Sequence, residues 1–432
     1  MRPARQPIAP ELRRARGAVF AIFWLCGVIA ALWSASLPSV NNRLHLGETR
    51  LGLALLLVGA GAITVMPTVG RMCDRYGSRR VLRLIAPLCP LPLLGPALAG
   101  SYPALLVSAF VLGAGVGGLD VAMNAHAIVV EQRYGRSIMS AFHGLWSVGG
   151  VTGSAVIAAG LRAGAPDPAL VIGGAIVVAV LLAGPGPLLL PGGGTQAAGA
   201  ARGSDPAPGA DAAARNPDAA ARRAGSPLRN PTVVLLGVAC LAGFMAEGAA
   251  YSWAPLHAIK ELHVTPPVAA LAYTIFAAAL TTGRMTGDWL RRHVGMVRGM
   301  AWAGGIAAAG YLLVLLAPSL GGGGLACDYA GWGVAGFGLA TVVPGIFTAV
   351  GSLGSGVGRA LSLVATCGYA GELAGPAVIG PLAAVTSLRV ALLVPSALTL
   401  VIAVLGPVAV ARATGRPQQA QTTGAGTPIG LG

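Results

Sequence analysis

The sequence predicts an all-α membrane protein, with twelve transmembrane helices in two pseudo-symmetric six-helix halves. Three observations carry that expectation. Of the 432 residues, 55% are hydrophobic and only 10% are charged, whereas a soluble chain carries roughly 25% charged residues. So few charges cannot cover a water-facing surface, but they suit one that faces lipid. Apolar runs recur along the whole chain, most near the ~20 residues that a helix needs to cross a hydrocarbon core. One long polar stretch, 191–231, divides those runs six and six.

Taken in order, the runs fall at about 18–40, 51–70, 81–99, 103–130, 137–160 and 168–190, then 232–255, 267–287, 298–318, 326–350, 360–382 and 388–411. Five arginines precede the first run, but that run is too long for a signal-peptide core and eleven more follow, so it reads as a transmembrane helix. The organisation expected is a cytoplasmic N-terminal tail (1–17), a six-helix bundle (18–190), a disordered cytoplasmic linker (191–231), a second six-helix bundle (232–411) and a cytoplasmic C-terminal tail (412–432). The linker is rich in Ala, Gly, Pro, Asp and Arg and has no apolar periodicity. The 65 glycines suit helices that approach closely in lipid.

Net charge is +15, which in a soluble protein would suggest nucleic acid. Here the arginines sit in short connections between apolar runs. With both termini cytoplasmic, 24 of the 29 basic residues fall on the cytoplasmic side. Only Arg43, Arg50, Arg162, Lys260 and Arg389 fall outside, as the positive-inside rule requires. The chain is therefore placed in the cytoplasmic (inner) membrane, with the bilayer and not nucleic acid as its partner. The six cysteines form no C-x-x-C pair, so neither a metal site nor a disulfide framework is indicated. No G-x-x-x-x-G-K-[ST] is present, which argues against direct ATP drive. No H-E-x-x-H or Asp-rich metal motif supports a polytopic membrane enzyme, the remote alternative. No cofactor is expected.

After the second run the sequence reads Gly70-Arg71-Met72-Cys73-Asp74-Arg75-Tyr76-Gly77-Ser78-Arg79-Arg80. After the eighth it reads Gly283-Arg284-Met285, then Gly287-Asp288. The two copies occupy equivalent places in the two halves, as a parallel repeat would. The first closely resembles the major facilitator signature G-x-x-x-D-R-x-G-R-R, with one extra residue before the basic pair. Further stretches are similar to the MosC-like branch of that superfamily, whose wider group includes sugar permeases. They are Gly117-Gly118-Leu119-Asp120 through His126, Glu131, Ile138 through Ser147, Glu247-Gly248, Gly368-Tyr369-Ala370-Gly371 and Gly375-Pro376. The pattern departs at Ser252, before Trp253, where an Asp is expected, and at Glu372, where an apolar residue is expected. The resemblance implies a secondary transporter, a monomer, that moves a small solute by alternating access. It implies a conformational gate at Gly70, Asp74, Arg75, Gly77, Arg79, Arg80, Gly283, Arg284 and Asp288. Asp74, near a helix terminus, can accept from backbone N–H groups or pair with an arginine and so latch the halves together.

The residues of the spans point to the transport site independently. Gly113, Gly117, Asp120, Asn124 and Glu131 share one face of the fourth run, a cavity wall or a close helix contact. Ser140, His143, Ser147, Gly150 and Ser154 form a polar stripe on the fifth, which must face protein or water. Asp120, Glu247 and Glu372 lie deep in spans. A charge at mid-bilayer costs at least about 2.5–3.5 kcal/mol, and no Arg or Lys is expected deep enough to pair with them. These acids therefore face a cavity, take up a proton or meet a cationic group. Asp120, Asn124, His143, Glu247, Tyr251, Trp253 and Glu372 are the candidate substrate- and proton-binding residues. Coupling to protons is expected through Asp120 or Glu247, and export of a drug or secondary metabolite stands as the alternative to sugar-like uptake.

Overall fold

A computed structural model describes residues 8–191, 227–354 and 356–415. Most of the expected linker and all but the start of the expected C-terminal tail lie outside the described residues. The helices are α1 (Pro10–Leu44), α2 (Gly47–Tyr76), α3 (Ser78–Leu88), α4 (Leu94–Leu98), α5 (Tyr102–Tyr134), α6 (Met139–Arg162) and α7 (Asp167–Ala183). The second half holds α8 (Pro231–Leu262), α9 (Pro266–Val294), α10 (Met296–Leu316), α11 (Gly324–Leu339), α12 (Val342–Gly351), α13 (Val357–Val385), α14 (Leu388–Ala391) and α15 (Leu393–Thr414). Three pairs, α3 with α4, α11 with α12 and α14 with α15, each make one pass, so the described residues contain twelve. Ten stretches are long and apolar enough to cross a membrane on composition alone, and one of them, Met296–Gly351, holds two passes. The remaining pass, α13, is long enough at 29 residues but is diluted by glycines, Pro376, Pro381 and Glu372.

Helix starts are written locally. Asn230 accepts from the Thr232 amide at the head of α8, with Pro231 at the first helical position, and Ser101 accepts from the Ala104 amide at the head of α5. Several helices outrun the membrane: α1, α5 and α8 have 35, 33 and 32 residues. α2 likewise continues through Tyr76, so the first part of the gate motif is helix and not loop. The chain reverses at Gly77, whose φ of 83° favours glycine, and α3 begins at once with Ser78.

Small residues set how closely the helices pack. A Cβ at Gly27 of α1 would overlap the Trp146 carbonyl oxygen of α6, and one at Gly149 of α6 would overlap that of Trp24 on α1. In lipid, where apolar faces gain little from one another, such approach supplies the dispersion contacts that hold helices together. Gly113 and Gly117 of α5 press in the same way on Val58 and Ala62 of α2. That face of α5 is therefore a close helix contact up to Asp120, and not a cavity wall.

The halves meet where α2 packs on α13, where α9 packs on α6, and where α12 packs on α5 and α6. Burial along the inner faces is graded. On α13, Leu361 and Ala365 are buried, while Glu372 and Pro376 on the same face are exposed. On α1, Phe23 and Gly27 are buried and Ser34 and Pro38 exposed. On α6, the polar stripe runs from buried Ser140 to exposed Ser154. The seam between the halves is thus sealed at the end that carries Asp74 and open at the other.

Candidate functional site

The sealed end is built from two matching contacts. Asp74, in the last turn of α2, crosses to the other half. Its carboxylate accepts from the Gly358 amide at 2.7 Å and the Arg359 amide at 3.2 Å, and from the Arg359 side chain at 3.1 Å. Asp288 of α9 crosses the opposite way and accepts from the Ser140 and Ala141 amides at 3.1 and 2.8 Å. Each carboxylate therefore sits on the N-terminus of the fifth pass of the opposite half, where free N–H groups and the helix dipole favour an anion. Gly70 lets this contact close, since a Cβ there would overlap the Gly358 carbonyl and the Ser362 side chain.

The other motif residues act locally. Arg75 lies 5.4 Å over the Tyr76 ring, Arg79 donates to the Pro187 carbonyl at 3.3 Å, and Arg80 is exposed. Gly283 packs on Phe337 and Ala340 within its own half. Asp74→Asn removes the ion pair and weakens the cap. Caps contribute about 0.5–2 kcal/mol and part-exposed pairs about 0–1 kcal/mol. The variant is expected to insert normally and to cycle more slowly, with a five- to thirtyfold change in conformational balance for about 1–2 kcal/mol. Turnover and substrate affinity, measured separately, check this; lost affinity at unchanged turnover would refute the latch.

At mid-depth the sequence expectation needs a correction. Glu247 of α8 is not without a cation. The Arg284 guanidinium, from α9, donates to both of its oxygens at 2.8 and 3.0 Å, with side chains only 6% and 11% exposed. Arg284 was grouped with the gate by its motif, but its long side chain reaches inward to the centre. It also donates to Ser147 Oγ of α6 at 3.1 Å, which ties this pair to the opposite half. The Tyr251 hydroxyl, one turn beyond Glu247, donates to the same carboxylate at 2.7 Å. Trp253 lies beside Gly380 of α13, its indole nitrogen buried without a partner.

Asp120 and Glu372 differ from Glu247. No basic side chain among the described residues pairs with either. Asp120, partly exposed, accepts from Asn124 Nδ2 at 3.1 Å, and Asn124 is wholly buried. Glu372 comes from α13 in the other half, packs beside Gly248 of α8 and is exposed to the open side of the seam. Asp120 and Glu372 lie within electrostatic reach of each other, and the Tyr369 hydroxyl is within the same reach of both carboxylates. His143 lies between Phe23, 5.4 Å away, and Phe347 of the other half at 5.8 Å, with Nε2 unpartnered. His126 is buried against Ser78 at 3.1 Å, away from the seam.

Sequence reasoning missed a third crossing. Glu131 caps α6 through the Ile138 and Met139 amides at 2.9 and 3.0 Å and accepts from the Thr348 hydroxyl of α12 at 2.8 Å. Arg291 joins Asp288, Ser140 and Thr348. The spacing of Arg284, Asp288 and Arg291 was the available signal, because i, i+4 and i+7 share one helix face. A buried His257–Asp328 pair at 2.9 Å, with the Trp332 indole donating at 3.1 Å, was also missed. Its members lie far apart in sequence, and only the packing of α8 on α11 brings them together.

Comparison with known proteins adds to this geometry. A family model described as Major Facilitator Superfamily matches residues 18–353. An uncharacterized MFS-type transporter of Yersinia pestis is 32% identical over 379 residues, covering 85% of this chain and 89% of that protein. The membrane protein MosC of Rhizobium meliloti is 31% identical over 386 residues, covering 88% and 86%. Two crystal structures of FucP share the fold at 18% identity, covering 91% of this chain and 98% of theirs. One is described as in the outward conformation, with a TM-score of 0.69. The other is described as the E. coli fucose:proton symporter, with a TM-score of 0.70.

Proposed function

This chain belongs to the major facilitator superfamily of membrane transporters, and from that footing we propose that it moves a small solute by alternating access, energised by protons taken up at Asp120. The observation that carries the reading is the contrast among the three deep acids. Glu247 has a buried guanidinium, whereas Asp120 and Glu372 face the open seam with no basic partner among the described residues. An unpaired carboxylate in such a place holds a proton or meets a cation, because the bare charge is costly there. If the seam opens to one side at a time, a proton loaded from one compartment is released to the other. Closure at the Asp74 and Asp288 caps alternates with opening there, and the caps exchange their helix N-termini for water in each cycle. The basic-residue bias supports placing the sealed end and both termini in the cytoplasm, with the whole path inside one monomer of the cytoplasmic membrane. The fucose:proton symporter of similar fold fits a proton-driven cycle.

The test is proteoliposomes carrying an internal pH dye under an imposed proton gradient, screened against sets of solutes. Protons are expected to cross only when a transported solute is present. A solute that is concentrated equally well with and without the gradient would sink the proton-coupled reading.

A further inference from the structure

The charge and hydrogen-bonding character of the open seam says what kind of solute fits it. Asp120 from one half and Glu372 from the other bring two carboxylates within electrostatic reach of each other. Arg284, which reaches this depth, spends both of its terminal guanidinium nitrogens on Glu247 and Ser147. Beside Asp120, Asn124 is wholly buried and spends its Nδ2 on Asp120, while its Oδ1 has no partner. A buried acceptor without a donor is costly to leave so. The site therefore presents acceptors from both halves and a shortage of donors. The Tyr369 hydroxyl, in reach of both acids, and the unpartnered Trp253 indole N–H are donors left over, but neither carries a charge to balance the acids; the Tyr369 ring packs 5.9 Å from Phe244.

With both acids ionised, the state in which a solute would have displaced their protons, an anion would meet like charge from both walls. A neutral polyol would find acceptors but few donors for its own oxygens. A primary ammonium or guanidinium supplies several donors and a positive charge to these acceptors, and aromatic rings beside the acids add to its binding.

We propose that the solute is an organic cation, and that its ammonium or guanidinium group exchanges one for one with a proton held by the Asp120 and Glu372 carboxylates. This rests on the proton-coupled reading above and narrows it. The exchange balances. The cation enters from one compartment, the carboxyl proton leaves to the water of that same compartment, and the charge of the site is unchanged. Because proton and cation compete for the same oxygens, they cross in opposite directions. An inward proton gradient then drives the solute out of the cell.

The experiment uses the full chain in proteoliposomes with an internal pH dye. The probes are agmatine, glucosamine and ethidium as cations, glucose and myo-inositol as neutral solutes, and glucuronate as an anion. At least one cation is expected to drive counterflow of protons at least about tenfold faster than any neutral or anionic probe, the ratio that about 1.4 kcal/mol sets. Glu372→Gln, checked for folding by its melting temperature, is expected to lose that response. Proton movement with glucose, myo-inositol or glucuronate at a rate equal to the cations overturns the cation proposal and leaves proton coupling standing. A cation accumulated without proton movement leaves the solute class standing and overturns the exchange. A full cation response in both Glu372→Gln and Asp120→Asn removes the carboxylates from the site and overturns the proposal, and no response to any of the six overturns it together with the reading on which it rests.

Discussion

Asp120→Asn is expected to abolish uphill accumulation while leaving downhill exchange. The substitution is nearly isosteric and keeps a hydrogen-bonding partner for Asn124 Nδ2, which now donates to Asp120 at 3.1 Å. The helix contact below it, made by Gly113 and Gly117 on α2, is untouched. What is removed is a group that can carry a proton. One unit of pH difference supplies about 1.4 kcal/mol per proton, which supports about a tenfold concentration ratio. In the variant that ratio should fall to about one, measured by solute uptake in proteoliposomes with and without the gradient. Accumulation at the wild-type ratio in Asp120→Asn would show that this acid is structural. Glu372→Gln belongs with it: Glu372 faces the same open seam from the other half and should affect transport strongly.

Arg284→Ala is expected to have the largest effect on stability. It leaves the Glu247 carboxylate, 11% exposed, without the guanidinium that now holds both of its oxygens. Breaking a buried pair from one side costs about 3–5 kcal/mol, because the remaining charge is uncompensated. Glu247→Gln should destabilise for the converse reason, so its transport loss cannot be read as lost coupling alone. The double variant Glu247→Gln/Arg284→Met removes both charges and keeps much of the volume. It should recover most of the stability and none of the transport, since the tie to Ser147 across the halves is gone as well. Melting temperatures of the purified variants decide the first point. If the double variant is no more stable than Arg284→Ala alone, the pair is not the source of the loss.

The gate motif was legible because it is local. Asp74 could be placed at a helix terminus with backbone amides or an arginine as its partners, and the repeat at Asp288 marked the same place in the second half. That the amides belong to Gly358 and Arg359, some 280 residues away, was not legible. The deep acids show the same division. Asp120, Glu247 and Glu372 stood out because a charge in an apolar run is costly wherever it points. Which of them is paired depends on rotamer and helix rotation. Arg284 was assigned by its position near the end of a run, yet its side chain spans about a helical turn and reaches Glu247.

Sequence by itself determined the membrane class and the twelve passes in two halves, because lipid imposes a requirement on every ~20-residue stretch independently of the others. Tertiary structure alone decided which acids lack a partner, which helix N-termini the two aspartates cap, and which end of the seam is open. Those depend on contacts between residues remote in the chain. Their energies, a few kcal/mol each, arise only after the halves have packed.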